Sequence, residues 1–509
     1  MSNEELLIQR LRSNDPTLTC LFVETPTDRS KKNTCSSVDT EHNFFCLIES
    51  VLGGWIKPAL LPSLTSRSNC GLHFCGPWPG GEFCNALAGN STLTCLGICN
   101  CGLDWEEGRL FGRSLAVNTT LQTLLIFSCQ IEGEWAMGLG EGLAGRSALR
   151  SIGVYRTTIG VVGAQHIGEG LMTNTTLCLL DLSVTKISKG GARIGEALAF
   201  NSTLTSLDLS CNQIGDFAGV KLGESLAVNS TLTMLDLSIN SLEKGGGEKI
   251  GDALAVNSAL TVLDISTNHF GDADRARLGK GLAVNSTLTR LDLSAIDIED
   301  DGRAKIGEGL AANSSITSLN LSYNHLGDRG GEMIGAILAA NSTLTKLDAY
   351  YNDLGNTGAI KIGQGLGVNS TLTRLDISSN LIGGIGGEQI GQGLATNSSL
   401  IELDISSNTI GDIGGGALGQ GLGVNSTLTV LYLSQIQMEA AGALMFIQGL
   451  TVNSTLEYCS VTKKEFPSSG ELKKLIRRNG YNQRLKLVSL FHLLFLVCSD
   501  AKNEPSFLF

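Results

Sequence analysis

Eight aspartates recur at near-fixed intervals: Asp181, Asp208, Asp236, Asp264, Asp292, Asp348, Asp376 and Asp404. Asn320 and Tyr432 fill the same register. Brought together, such a row of carboxylates raises its members' pKa values by mutual repulsion and attracts a basic partner. The position two residues earlier varies: Ser206, Met234, Val262, Arg290, Ser318, Lys346, Arg374, Glu402 and Val430. Tyr323, Tyr350 and Tyr351 follow close behind, and exposed aromatics beside Arg and Lys are the residue types that dominate protein interfaces. The expected contact residues are therefore these aspartates with Arg290, Lys346, Arg374, Tyr323, Tyr350 and Tyr351. No catalytic constellation is visible. The histidines, His42, His73, His166, His269, His325 and His492, are scattered. No glycine-rich loop ends in Lys-Ser/Thr, and Gly245-Gly246-Gly247 belongs to a repeated turn. The spacing of Cys70, His73 and Cys75 matches no established zinc pattern. The chain reads as no enzyme, with no cofactor and no metal site.

Something must hold these residues in rows. From Asn90 to Val452 the chain repeats thirteen times, twelve times at 28 residues and once at 27. A period of this size specifies a solenoid. In the copy beginning at Asn201, Leu207 and Leu209 alternate with Ser206, Asp208 and Ser210, which is a short half-buried strand. Val220, Leu222, Leu226 and Val228 then recur at roughly helical spacing. One strand and one helix cannot enclose a core alone. Stacked copies can, as an α/β array with parallel strands lining the inside and helices outside.

Asn212 falls where the strand ends. Its amide can satisfy backbone groups stripped from the sheet by the turn. Cys101, Cys129, Thr157, Thr185, Asn240, Asn268, Asn324, Asn352, Asn380 and Asn408 share its register. Ile296 and Ile436 break the series, so local distortion is expected there. Asn201 follows a helix end, where Asn tolerates a left-handed backbone.

The leucine spacing, the Asn/Cys/Thr series and the helix together resemble the leucine-rich repeat family, in its ribonuclease-inhibitor-like subclass. The resemblance covers about 70% of the chain. It implies a horseshoe with a parallel sheet on the concave side and a protein partner bound there. The family pattern often carries Asp at the aspartate position, so part of the row is expected to be scaffold. The helices depart from the pattern in their glycine content, as in Ile306-Gly307-Glu308-Gly309-Leu310. Each such glycine costs about 0.5–1 kcal/mol relative to alanine, which close helix stacking would offset. Two other roles follow from resemblance. The array looks like the repeat domain of the Ran GTPase-activating protein, though that family has an acidic C-terminal tail. It also resembles the repeat regions of NOD-like receptors, without their NTPase, which leaves an adaptor or decoy role.

The ends differ from the array. Residues 1–61 read as an N-terminal cap or partly disordered segment, and 62–89 as a degenerate repeat. Residues 453–486 read as a partial repeat and basic cap, with eight basic and three acidic residues, and 487–509 as an apolar tail. The net charge of −12 argues against nucleic acid or an anionic membrane as partner. No stretch reaches the ~18 apolar residues of a membrane helix. Met1–Glu5 is acidic, so no secretory leader is expected and the chain is placed in the cytoplasm. Its fourteen cysteines are then expected to be free thiols. Twelve Asn-x-Ser/Thr sequons sit at the repeat junctions and are explained by the repeat itself.

Overall fold

The computed structural model describes residues 3–24, 72–75, 80–103, 105–131, 133–145, 147–298, 300–460 and 474–479. The chain divides into two compact units, Met1–Gly281 and Leu282–Phe509.

In the first unit, nine described strands form a parallel sheet. Leu72–Cys75 lies at its edge, followed by Cys20–Glu24, Cys95–Cys99, Thr123–Phe127 and Ser151–Tyr155. Three-residue strands then follow at Leu179–Asp181, Ser206–Asp208, Met234–Asp236 and Val262–Asp264. A strand from the N-terminal segment, Cys20–Glu24, pairs with both Leu72–Cys75 and Cys95–Cys99. The neighbour of the first full repeat therefore comes from this segment rather than from residues 62–89.

The second unit repeats the plan. Strands Arg290–Asp292, Ser318–Asn320, Lys346–Asp348, Arg374–Asp376, Glu402–Asp404, Val430–Tyr432 and Tyr458–Ser460 pair in parallel with identical register. A helix follows each of the first six.

The leucine between the two outward positions of each strand makes the core. Leu207, Leu235 and Leu263 are in register and buried, as are Leu319, Leu347 and Leu375. Truncating one of these to alanine costs about 2–5 kcal/mol. Helices stack on the other side at glycine contacts. A Cβ on Gly393 would strike the carbonyl oxygen of Gly363, and one on Gly421 that of Gly391. Glycine's conformational cost is offset by this close approach.

Two amide ladders tie repeat to repeat. In the first, Asn212 Nδ2 donates to the carbonyls of Leu182 (2.7 Å) and Leu209 (3.0 Å), and its Oδ1 accepts from Thr185 N–H (2.9 Å). Asn240 Oδ1 accepts from Asn212 N–H in turn (2.9 Å). The break at Ile296 leaves the register intact, because Ile296 N–H still donates to Asn324 Oδ1 (2.9 Å). In the second ladder, Asn201 Oδ1 accepts from Leu204 N–H (2.8 Å), while Nδ2 donates to Leu171 O (2.8 Å) in the preceding repeat. The junction asparagines are not left-handed. Asn174, Asn341, Asn369, Asn397 and Asn425 close their helices with extended backbone. Their role is to bond the previous repeat rather than to tolerate a strained φ. At the far end Asn479 extends this ladder, donating to Leu456 O (3.0 Å) and Asn453 Oδ1 (3.2 Å).

Helix starts are also capped from neighbouring repeats. Asp274 Oδ1 accepts from Gly245 N–H (2.9 Å) and Glu248 N–H (2.8 Å), and Asn356 Oδ1 from Gly383 N–H (3.0 Å) and Gly386 N–H (2.9 Å). A carboxylate there also suits the positive end of the helix dipole.

Candidate functional site

The aspartates follow from the strand's own chemistry. After three residues each strand turns, and the next backbone N–H needs an acceptor. Asp181 Oδ1 accepts from Ser183 N–H at 2.8 Å, and Asp208 Oδ1 from Ser210 N–H at 2.8 Å. Asp236, Asp264, Asp292, Asp376 and Asp404 do the same for the residue two positions on, each at 2.9 Å, and Asp348 does so for Tyr350 at 3.0 Å. Asn320 substitutes because an amide oxygen accepts equally well, from Ser322 N–H at 3.0 Å. Its Nδ2 also donates to Asp292 Oδ2 at 2.8 Å.

These carboxylates do not stand exposed on the surface. Asp181, Asp208, Asp236, Asp264 and Asp292 are only 3–8% exposed, and Asp348, Asp376 and Asp404 are half-buried. At Asp181, Asp208, Asp348 and Asp404 burial, more than mutual repulsion, raises the pKa. Asp181 is pushed up to about 6 by desolvation, against its bonds from Ser183, with Asp236 adding repulsion. Asp208 is pushed up to about 8 by desolvation first and by Asp181 second. Asp348 and Asp404 also rise, again chiefly through burial.

The variable row is more accessible in the second unit. Lys346 and Arg374 are exposed and in register on adjacent strands. Arg374 Nη1 lies 3.5 Å from Glu402 Oε2. Arg290 is half-buried and separated from Lys346 by the strand of Ser318.

The three tyrosines do come together. Tyr323 stands 5.1 Å from Tyr350 and 5.1 Å from Tyr351, centroid to centroid, and the latter two are 6.0 Å apart. Tyr323 and Tyr351 remain 47% and 44% exposed. Both sit at positive φ, 58° and 55°, just before a ladder asparagine. That backbone is costly for a bulky residue, and it presents each ring at the end of its strand. The Tyr350 hydrogen bond is the main cause that raises the Tyr323 hydroxyl's pKa.

Two groups were missed by sequence reasoning. His325 packs on Tyr351 at 6.3 Å and its Nδ1 lies 3.0 Å from Asp353 Oδ2. Half-buried Tyr432 and exposed Tyr458 form a second pair at 5.4 Å. His325 and Asp353 occupy one repeat register, as do Tyr432 and Ser460, so the same alignment that found Tyr323 and Tyr351 could have found the first pair. Asp181, Asp208, Asp236 and Asp264 lie in the first unit and the tyrosine cluster in the second. The side chains of Cys70, His73 and Cys75 lie outside those described.

Among the described residues no His/Cys/Asp/Glu group could hold a metal, and no helix is long and apolar enough to cross a membrane. No disulfide joins any of Cys20, Cys84, Cys95, Cys99, Cys101, Cys129, Cys178, Cys211 and Cys459.

A repeated strand, an amide ladder and a helix, stacked in parallel, define an α/β leucine-rich repeat solenoid. The leucine-rich repeat family profile matches six segments, residues 200–223, 284–307, 312–335, 340–363, 368–391 and 396–419. The chain is a leucine-rich repeat protein. No curated protein matches it. Among solved structures it is similar to an internalin from Listeria monocytogenes at 16% identity, TM-score 0.47, covering 80% of this chain and 94% of that one. It is also similar to the leucine-rich repeat-containing protein LegL7 from Legionella pneumophila, at 22% identity and TM-score 0.36, covering 56% and 93%. A third similarity is to a tropomodulin C-terminal domain from Caenorhabditis elegans, at 11% identity and TM-score 0.27, covering 31% and 98%.

Proposed function

We propose that this protein is a non-catalytic interaction scaffold that binds a protein partner through the strand-side face of its second unit. Tyr323, Tyr350 and Tyr351 form the centre of the contact, and Lys346 and Arg374 flank it. The observation that carries this reading is the exposed aromatic cluster beside two exposed cations. The aspartates are committed to turning the backbone, so their contribution is indirect. Half-buried Asp348 and Asp376 offer a basic group of the partner a negative potential at close range. The repeat belongs to the ribonuclease-inhibitor-like subclass on this reading, supported by its 28-residue period and by a full helix in most repeats. A cytoplasmic location fits the buried junction asparagines, whose amides are taken up by the preceding repeat.

The test is affinity capture with the parent and with two variants, Tyr323→Ala/Tyr351→Ala and Arg374→Glu, each checked by circular dichroism. Interface anchors of this type contribute at least ~1–2 kcal/mol each, so a specific partner should weaken roughly 10-fold or more. Asp208→Asn, in the other unit, should bind as the parent does. Equal recovery of every partner by all the variants would refute the site.

A further inference from the structure

Among the described residues, the first strands of the first unit carry no aspartates on the strand-side face. It carries thiols. Strands Cys20–Glu24 and Cys95–Cys99 run parallel with Cys20 directly opposite Cys95. The next pair in register, Leu21 and Leu96, is fully buried in the core. Side chains alternate along a strand, so both thiols project to the opposite, strand-side face. There Cys95 is buried in an apolar cluster with Leu125, Phe127 and Leu179, and Cys20 packs against that cluster while half exposed.

We propose that Cys20 and Cys95 form a peroxide-sensitive dithiol, with Cys20 as the attacked sulfur and Cys95 as the resolving one. Neighbouring strands lie about 4.8 Å apart. That is inside the roughly 4.4–6.8 Å Cα separation that a disulfide requires, so no strand has to move far. Access separates the two roles. Cys20 can be reached from solvent, whereas Cys95 is buried. Acidity agrees with this order. The Cys95 thiol donates to Cys20 and lowers it to about 7, so a good fraction is thiolate at neutral pH. Two buried thiols in this unit, Cys84 and Cys129, are poorer targets. Burial pushes Cys84 up to about 12, and Cys129 is raised by its bond with Cys101 and by burial.

The chemistry closes with hydrogen peroxide as the oxidant. The Cys20 thiolate attacks one peroxide oxygen, the O–O bond breaks, and hydroxide leaves, giving a sulfenic acid on Cys20. The Cys95 sulfur then attacks the Cys20 sulfur, the S–O bond breaks, and the thiol proton leaves with the hydroxyl as water. Two thiols have lost two electrons and the peroxide has gained them. The product joins the strand of the N-terminal segment covalently to the first full repeat.

The experiment treats the reduced full-length protein with hydrogen peroxide, quenches with N-ethylmaleimide and maps disulfides by mass spectrometry. A Cys20–Cys95 linkage should dominate and should vanish on adding dithiothreitol. Cys95→Ser should instead accumulate sulfenic and then sulfinic acid on Cys20, detected with dimedone. Cys20→Ser should leave Cys95 reduced at the same peroxide dose. The mapping on unsubstituted protein stands even where a variant fails to fold. Sulfinic acid on Cys20 without cross-linking, or a dominant bond between other cysteines, would overturn the proposal.

Discussion

Asp208 offers the sharpest test of how the strand-side face is built. Its carboxyl is buried, lies near Asp181, and is pushed up to about 8. An unfolded aspartate titrates near 3.9. The folded state therefore binds the proton more tightly. The stabilisation that the proton brings is complete below about pH 4 and is lost as pH rises through 8. Asp208→Asn keeps the oxygen that accepts from Ser210 N–H at 2.8 Å and removes the titration. At about 1.36 kcal/mol per unit, the gap between variant and parent should widen between pH 5 and 8 by at most roughly 4 kcal/mol. Part of the rise is shared with Asp181, so a change of about 1–3 kcal/mol is expected. Asn320 already shows that the amide fits this register. Urea unfolding followed by circular dichroism at pH 5, 6.5 and 8 measures the gap. Asp208→Ala is the control: it removes charge and acceptor together, and the orphaned N–H costs about 1–3 kcal/mol. An Asp208→Asn protein less stable than the parent by a constant amount at all three pH values would refute the argument, because the native carboxylate would then be ionised and favourable.

The first amide ladder should be worth more than any surface contact. Asn240→Leu removes the donor to Leu209 O (2.9 Å) and the acceptor of Asn212 N–H (2.9 Å), and urea unfolding should show a loss of about 2–4 kcal/mol. Ile239 sits at φ 56° and is half exposed. Asn tolerates that backbone, so Ile239→Asn should stabilise by about 1 kcal/mol, and a fall in melting temperature would contradict the strain assignment. Glycosylation and folding should exclude one another: Asn201 Nδ2 is buried and donates to Leu171 O at 2.8 Å. Secreted behind a leader peptide, chains that carry glycans at Asn201 should be digested by trypsin, and a glycosylated, trypsin-resistant array would disprove this.

The core was legible because it rests on local patterns. Leu207, Leu235 and Leu263 announce a strand by alternation and a stack by their spacing, and Asn212 announces the turn that follows. Two features were not legible, for different reasons. The pairing of Cys20–Glu24 with Cys95–Cys99 joins segments far apart in the chain, and nothing periodic links them. The burial of Asp208 is a matter of crowding. Alternation correctly turned it away from the leucine core, but parallel neighbours and the turn at Ser210 close over a short side chain all the same.

The same crowding bears on where recognition can reside. A short polar side chain that recurs in every repeat has its hydrogen bonds drawn into the backbone beside it, as at Asp236, Asn240 and Asn257. What is left for a partner is the residue that departs from the repeat and is too large to fold back. Tyr323, Tyr350 and Tyr351 meet that condition, because rings at the ends of adjacent strands reach one another and still keep exposed faces. Lys346 and Arg374 meet it too, since both are long and exposed. In a stack of near-identical units the proposed contact is therefore to be sought among the exceptions, and Tyr323, Tyr350, Tyr351, Lys346 and Arg374 fall on or just after three consecutive strands of the second unit.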